Sequence, residues 1–397
     1  MSGAFAASNK FPNAGGKREI YEQSRFFLAE DCSNLSLLYH HAGNQQPSGL
    51  GIGSFSVKAS LFRGQAWSDF DAYEVATWPG GSDALMRSPQ IAPGGLLESN
   101  ATGFGGVGGA LIFVRRHLIF STAPTYWPGN QINLYGGDEV FNVGDGLTER
   151  ISGGWPATDW AGGYYSRDDG VSYAHAAPAL VIGQGAARKA RLCIINDSIG
   201  MGSGDDGSAE FMGWPGRLLT SSYPWYLVGN EGYTMAALMA DATVRALRLG
   251  ALQAAGITHL LVQAVSNDLG QARTTAQFLA DCAALQAELD ALSIRLILCT
   301  STPRTNAANA AKYAGDATAV QGERLALNQA IRDNNGIGFG YLDPAIFSQG
   351  SGNANLWDNT SGRGSADGLH PNAAAHAYIA AMLSGSIDAL LTIDHFA

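Results

Sequence analysis

The chain has 397 residues, of which 46% are hydrophobic and only 15% charged, with 51 glycines, a composition that builds folded, loop-rich domains rather than disorder. The formal net charge of -10 opposes non-specific attachment to nucleic acid or to anionic lipid. At this length two domains are expected in place of one growing core.

The opening stretch, MSGAFAASNKFPNAGGKRE, has no sustained apolar segment of the kind an export signal needs, and no run of roughly 18 apolar residues occurs further on. No membrane span is expected, and the chain reads as cytoplasmic or as one lacking its export signal. From about residue 20 to 180 the pattern is β-like. SFSVKASL (54–61) alternates Phe55, Val57, Ala59 and Leu61 with Ser54, Ser56, Lys58 and Ser60, the period of a half-buried strand. LSLLY (35–39) and LIFVRRHLIF (111–120) are further strands, separated by stretches such as WPGGSD and APGG. Strands with this Gly and Pro punctuation predict a β-sandwich or jelly roll over residues 1–185.

After GQGAARKA (183–190), small and basic enough for a linker, the register changes. Strand RLCII (191–195) is followed by a helix around 235–255, strand ITHLLVQAV (257–265), a helix around 271–291 and strand IRLILCTS (294–301). A helix near 317–334, strand IGFGYLD (337–343) and a last helix from Pro371 to about Leu391 complete residues 186–397. Alternating strands and helices predict an α/β domain with a parallel sheet covered on both faces.

In such a sheet, ligands bind beyond the carboxyl ends of the strands. Ser198 follows the first strand there and Asn267, in VSND (265–268), follows the next. In SADGLHPN (365–372), Asp367 and His370 precede the final helix; Pro371 fits its first position and would leave His370 at the cap. A serine hydroxyl needs a base to take its proton, and imidazole is suited to that near neutral pH. His370 is the candidate base, and Asp367, three residues earlier, can hold its ring. Acyl transfer also needs donors for an oxyanion. The Asn267 amide, the backbone of Gly232 in LVGNEGYT (227–234), where no side chain obstructs approach, and the Ser198 N–H are the candidates. Each residue alone has a plain structural alternative: a polar strand end, a turn glycine, a capping asparagine, an Asx turn and a histidine cap.

Taken in order, these residues resemble the SGNH hydrolases, also called the GDSL esterase and lipase family. NDSIG, GNEGYT, VSNDLG and DGLHP are similar to the family's four blocks, over about the last 210 residues. The resemblance implies a flavodoxin-like sheet, Ser198 as nucleophile, Asp367 and His370 completing the triad, and Ser198, Gly232 and Asn267 as oxyanion hole. No metal or organic cofactor is implied. Asn196 and Val265 stand where the family usually has glycine, neither of them at a position that supplies a catalytic group.

Other features are read structurally. Cys32, Cys193, Cys282 and Cys299 lack metal or redox spacing and read as free thiols, most of them in the core. His259 and His376 read as packing residues, and His40 and His41 lack neighbours at metal-ligand spacing. GMGSGDDGSAE (200–210) reads as a flexible, solvated acidic rim, with substrate contact by Asp205 and Asp206 only a secondary reading. From Tyr126 to Tyr173, eight Trp and Tyr residues interleave with Gly, Asn and Asp, which suits either a sugar-binding surface or packing between domains. A β-rich domain before an SGNH domain resembles the organisation of some carbohydrate O-acetyl esterases. The expectation is a serine esterase that deacetylates a carbohydrate. A lipase, thioesterase or arylesterase with the same triad is the alternative, and a carbohydrate-binding protein with an inactive hydrolase domain is the alternative of another class.

Overall fold

The computed structural model describes residues 2–6, 11–12, 19–28, 31–40, 54–66, 69–80, 88–91, 96–103, 105–107, 110–121, 126–127, 140–144 and 179–184, and then 190–392 except 206–212, 220–222, 230–231, 306–318 and 335. The chain divides into two compact units. One is Met1–Arg188 with Tyr223–Tyr226 and Ala246–Ala255; the other is Lys189–Ser222, Leu227–Arg245 and Gly256–Ala397.

In the first unit, Glu19–Phe27, Phe55–Ala66, Asp69–Val75, Leu111–Phe120 and Val140–Gly144 form a five-stranded antiparallel sheet. Asn34–His40, Leu96–Glu98 and Ala179–Gln184 form a three-stranded antiparallel one. Leu35, Leu37 and Tyr39 from the smaller sheet share one core with Phe55, Val57, Leu61, Val114 and Leu118 from the larger, which makes this a β-sandwich. The alternation expected at residues 54–61 is half right: Phe55, Val57, Ala59 and Leu61 are buried, but so are Ser56 and Ser60. The strand lies inside the sheet, between two hydrogen-bonded neighbours, and is covered on both faces there rather than half-buried. Of the eight Trp and Tyr residues in the aromatic-rich stretch, Tyr126 and Trp127 are described, as a short strand paired with Phe11–Pro12; the other six lie outside the described residues.

The strands of the second unit are β1 (Leu192–Asn196), β2 (Trp225–Gly229, which enters this unit at Leu227), β3 (His259–Val262), β4 (Arg295–Cys299) and β5 (Gly340–Leu342), neighbours in the order β2-β1-β3-β4-β5. β1, β3, β4 and β5 are parallel, with Ile195 level with Val262 and Val262 level with Leu298. Successive residues of β1 and β3 are all buried, as strands covered by helices on both faces must be. The sequence leaves β1 for β2 on one side and reaches β3 on the other, so the reversal of strand order falls at the carboxyl ends of β1 and β3.

The helices are α1 (Ser198–Met201), α2 (Trp214–Leu219), α3 (Met235–Met239), α4 (Ala242–Ala254), α5 (Ser266–Gly270), α6 (Thr275–Asp290), α7 (Ala319–Asp333), α8 (Pro344–Ser348) and α9 (Ala373–Thr392). The helix expected over 235–255 is two, because the Arg245 guanidinium donates to the C-terminal carbonyls of α3 at Leu238 and Met239 while pairing with Glu288 at 2.7 Å. The short helices α1, α2, α5 and α8 were not expected: four to six residues carry too little periodicity to read. The last helix begins at Ala373, not Pro371. Asn372 is its cap, its Oδ1 accepting the Ala375 N–H at 3.0 Å, while Pro371 bridges to Ser365. His370 is therefore in the preceding loop and not at the cap.

By length and composition α9 is apolar enough to cross a membrane. Its buried stripe, Ala375, His376, Ile379, Ala380, Leu383, Ile387 and Leu391, packs against α2, α8 and β5, as a core helix does. Cys193, Cys282 and Cys299 are buried in β1, α6 and β4, and all four cysteines are free.

His376 is fully buried, and its Nδ1 accepts the Trp214 N–H at 3.0 Å, which requires the neutral ring. Burial holds it down to about 4, against the pull of the Asp205 carboxylate. A histidine depressed in the fold contributes stability that is present above its unfolded value of about 6.5 and lost as the pH falls towards the folded one. Denaturant unfolding should therefore show stability falling between pH 6.5 and 4, by at most ~1.4 kcal/mol per pH unit from this group. His376→Asn, which keeps an acceptor for Trp214 but cannot titrate, should flatten that slope.

Candidate active site

β1 delivers Asn196, Asp197 and Ser198 straight from the sheet into α1. Asp197 is the cap of α1, its Oδ1 accepting the Ile199 N–H at 2.9 Å, so Ser198 is the first helical residue. Ser198 is 6% exposed. Its hydroxyl lies 2.8 Å from His370 Nε2, and His370 Nδ1 lies 2.6 Å from Asp367 Oδ2. A carboxylate only accepts, so Nδ1 carries the proton and Nε2 is left as acceptor for the serine. The three residues expected to act together form one hydrogen-bonded chain across 172 residues of sequence.

The loop that carries His370 is fastened at several points. Asp367 Oδ1 accepts from Ser365 Oγ (3.0 Å), Leu369 N (2.8 Å) and His370 N (2.8 Å), which leaves Oδ2 for the imidazole. The Gly368 carbonyl accepts from Thr305 N, Thr305 Oγ1 and Trp357 Nε1. Gly204 lies under the loop, where a Cβ would come within 2.6 Å of the Pro371 carbonyl, so only glycine lets the two segments close. Partial burial pushes the Asp367 carboxyl up, but the His370 and Leu369 N–H groups and the His370 ring outweigh it and bring it down to about 2.

Asn267 lies one residue into α5, beyond β3. Its Nδ2 donates to the Tyr233 carbonyl at 3.2 Å, which ties it to the turn containing Gly232. An amide nitrogen has two hydrogens, and this bond uses one of them. Gly232 has φ +74°, the left-handed region that favours glycine, is exposed, and faces open space where a side chain would project. Neither replaced family glycine needs glycine's freedom here. Val265 has φ -119°, and Asn196 is the buried last residue of a regular strand. The small residue is Gly200 instead, where a Cβ would collide with the Asn196 side chain and with Gln263.

Asp205 is corrected. It is buried and paired with Arg217 at 2.7 Å, and it also accepts the Gly213 N–H, so it braces α1 against α2 and is not open to substrate. Residues 200–205 are correspondingly ordered and mostly buried; Asp206 and the rest of that stretch lie outside the described residues. His259 is buried beside Phe339, with Nδ1 at 2.8 Å from Thr258 Oγ1, a packing role as expected. His41 lies outside the described residues, and among the described residues no cluster of His, Cys, Asp or Glu could hold a metal.

Sequence reading missed Gln263 and the work of Asp197. Gln263 Oε1 accepts the Asp197 N–H at 3.1 Å and Gln263 Nε2 donates to Asp197 Oδ1 at 3.1 Å. The signal was available: a glutamine ending the apolar run LLV needs a buried partner. Asp197 Oδ2 is buried with no hydrogen-bond partner among the described residues. Burial raises this carboxyl to about 6, against the Gln263 and Ile199 hydrogen bonds. The raised group binds its proton more tightly folded than unfolded, so it costs stability as the pH rises from about 4 to about 6. Asp197→Asn should remove that cost, and the difference in unfolding free energy between variant and wild type should move in the variant's favour by on the order of 3 kcal/mol from pH 4 to pH 7.

Residues 197–378 match the model of the GDSL-like Lipase/Acylhydrolase family. No curated protein matches the chain. Among solved structures, it is similar to a GDSL-like lipase from Bacteroides thetaiotaomicron VPI-5482, at 15% identity, TM-score 0.38, and coverage of 52% of this chain and 92% of that one. A carbohydrate acetylesterase family member from Sinorhizobium meliloti is 18% identical, with TM-score 0.37 and coverage of 51% and 99%. The psychrotrophic esterase EstA from Pseudoalteromonas sp. is 16% identical, with TM-score 0.33 and coverage of 50% and 97%.

Proposed function

From a chain whose residues 197–378 belong to the GDSL-like lipase/acylhydrolase family, we propose a serine esterase that cleaves carboxylic esters through an acyl-enzyme. The observation that carries this reading is the continuous chain from Ser198 Oγ through the His370 ring to Asp367, at 2.8 and 2.6 Å. Ser198 Oγ attacks the ester carbonyl as its proton passes to His370 Nε2. The oxyanion that forms is held by the N–H groups of Ser198 and Gly232 and by the Asn267 amide. Collapse breaks the bond to the alcohol, which leaves with the proton from His370. Water then gives its proton to His370, attacks the acyl group and releases the acid, and the proton returns to Ser198. Asp367 holds the ring in the required tautomer and faces the imidazolium in both halves. With its pKa near 2 it stays a carboxylate throughout the working range.

The substrate we propose is an acetylated carbohydrate. Two things support it: the enclosure of Ser198, which suits a small acyl group, and the Trp and Tyr residues interleaved with Gly, Asn and Asp between Tyr126 and Tyr173. We also read the division of labour as residues 1–185 serving as an accessory domain and 186–397 as the catalytic one.

Ser198→Ala should keep its fold and lose essentially all hydrolysis of p-nitrophenyl acetate, and Asp367→Asn should lower kcat by roughly 1,000- to 10,000-fold. Near wild-type turnover in the Ser198 variant would sink the reading. A p-nitrophenyl series from acetyl to long acyl, run beside acetylated oligosaccharides, should give the highest kcat/KM at acetyl. A preference for long chains would point to a lipase or thioesterase instead.

A further inference from the structure

We propose that Gln263 is a positioning residue for Ser198, acting through a two-point clamp on Asp197; the inference rests on the ester-hydrolase reading above. Gln263 directly follows β3 at its carboxyl end and is 6% exposed. Burying a primary amide there is costly unless its hydrogen bonds are made. Both ends of the amide are spent on one residue, the one before the nucleophile. Oε1 takes the Asp197 N–H and Nε2 gives to Asp197 Oδ1, each at 3.1 Å.

The consequence is geometric. Asp197 Oδ1 also accepts the Ile199 N–H, so a single carboxylate oxygen links the clamp to the start of α1, on either side of Ser198. The Gln263 backbone continues the parallel ladder by donating to the Ile195 carbonyl at 2.7 Å. The turn into the serine is thus held from β3 at three points: the Ile195 carbonyl, the Asp197 N–H and the Asp197 carboxylate. Gly200 leaves the space the amide occupies, since a Cβ there would meet Gln263 Oε1. Rotation of the Asp197 peptide would carry Ser198 Oγ off its 2.8 Å line to His370 Nε2. A displacement of about 1 Å at a reacting atom is enough to cost on the order of 100-fold in rate.

The groups that bear on the clamp electrostatically are His370 from the triad loop, the Cys299 thiol from β4, and the N–H groups that Asp197 accepts. A glutamate in place of Gln263 would set two carboxyl groups against each other, and the contact would survive only while they share a proton. That provides a readout a merely structural residue would not give.

The experiment measures kcat and KM for p-nitrophenyl acetate from pH 5 to 9 in wild type, Gln263→Met and Gln263→Glu, with circular dichroism as the fold control. Gln263→Met should lower kcat about 10- to 100-fold with KM within about twofold. For Gln263→Glu, kcat relative to wild type at the same pH should be highest at pH 5 and fall at least about tenfold by pH 8 as the shared proton is lost. Wild-type kcat in a folded Gln263→Met protein overturns the proposal. So does a ratio for Gln263→Glu that does not change with pH, and this second variant decides the matter if the methionine protein fails to fold. If wild type itself neither hydrolyses the ester nor takes a fluorophosphonate on Ser198, the esterase reading falls and this inference with it. An active wild type with indifferent variants overturns this inference alone.

Discussion

Four residues of β1, Leu192 to Ile195, pair in parallel with His259 to Val262 of β3, and the rest of the candidate site is hung from that ladder. Because Ile195 and Val262, the last paired residues, lie level, the residues beyond them emerge side by side: Asn196 to Ser198 from one, Gln263 to Asn267 from the other. Leu192, Cys193, Ile194, Leu260, Leu261 and Val262 are all fully enclosed. A slip of one residue would exchange the side chains presented to the two covered faces, so packing fixes the register. Past the last backbone pair, Gln263 prolongs the ladder with a side chain, and the Asn267 amide reaches to the Tyr233 carbonyl. Ser198 and the Asn267 amide inherit their positions from backbone pairing beneath them.

His370 arrives separately, on a loop that no strand of this sheet carries. Its order comes from local bonds: Gly364 to Asn372, Ser365 to Pro371, and the three donors that converge on the Gly368 carbonyl. The loop runs into α9, whose apolar stripe is packed against α2, α8 and β5. Asp367 devotes one oxygen to the loop and the other to His370, so a single carboxylate shapes the backbone and orients the ring. Groups set in place before the substrate arrives need no reorganisation during the reaction.

Ionisable groups in this unit are held in different ways. Asp205 is paired with Arg217. Arg324, fully buried, donates to Gln321 Oε1 and to the carbonyls of Ser301 and Ala354, and burial brings it down to about 10. His376 stays neutral and accepts a backbone N–H. The two carboxyl groups that flank Ser198 are pushed in opposite directions, Asp197 up to about 6 and Asp367 down to about 2. Geometry gives them different parts: Asp367 faces the imidazole, and the enclosed Asp197 caps α1.

Much of this was legible in the chain itself. The apolar runs at 192–195, 260–262 and 296–299 and the amphipathic stretches between them determine a parallel sheet with helices, because a strand buried on both faces must read as a continuous apolar run. The order of Ser198, Gly232, Asn267, Asp367 and His370 was equally visible, since the proposed chemistry turns on residue type. Tertiary structure alone decided the rest. That Asp205 turns inward to Arg217, that Asn372 and not Pro371 begins the last helix, and that Gln263 reaches across to Asp197 all depend on partners 3 to 66 residues away. A local pattern records whether a residue is apolar or polar. Which polar groups meet once they are buried is set by packing, where a hydrogen bond left unmade costs more than one made contributes.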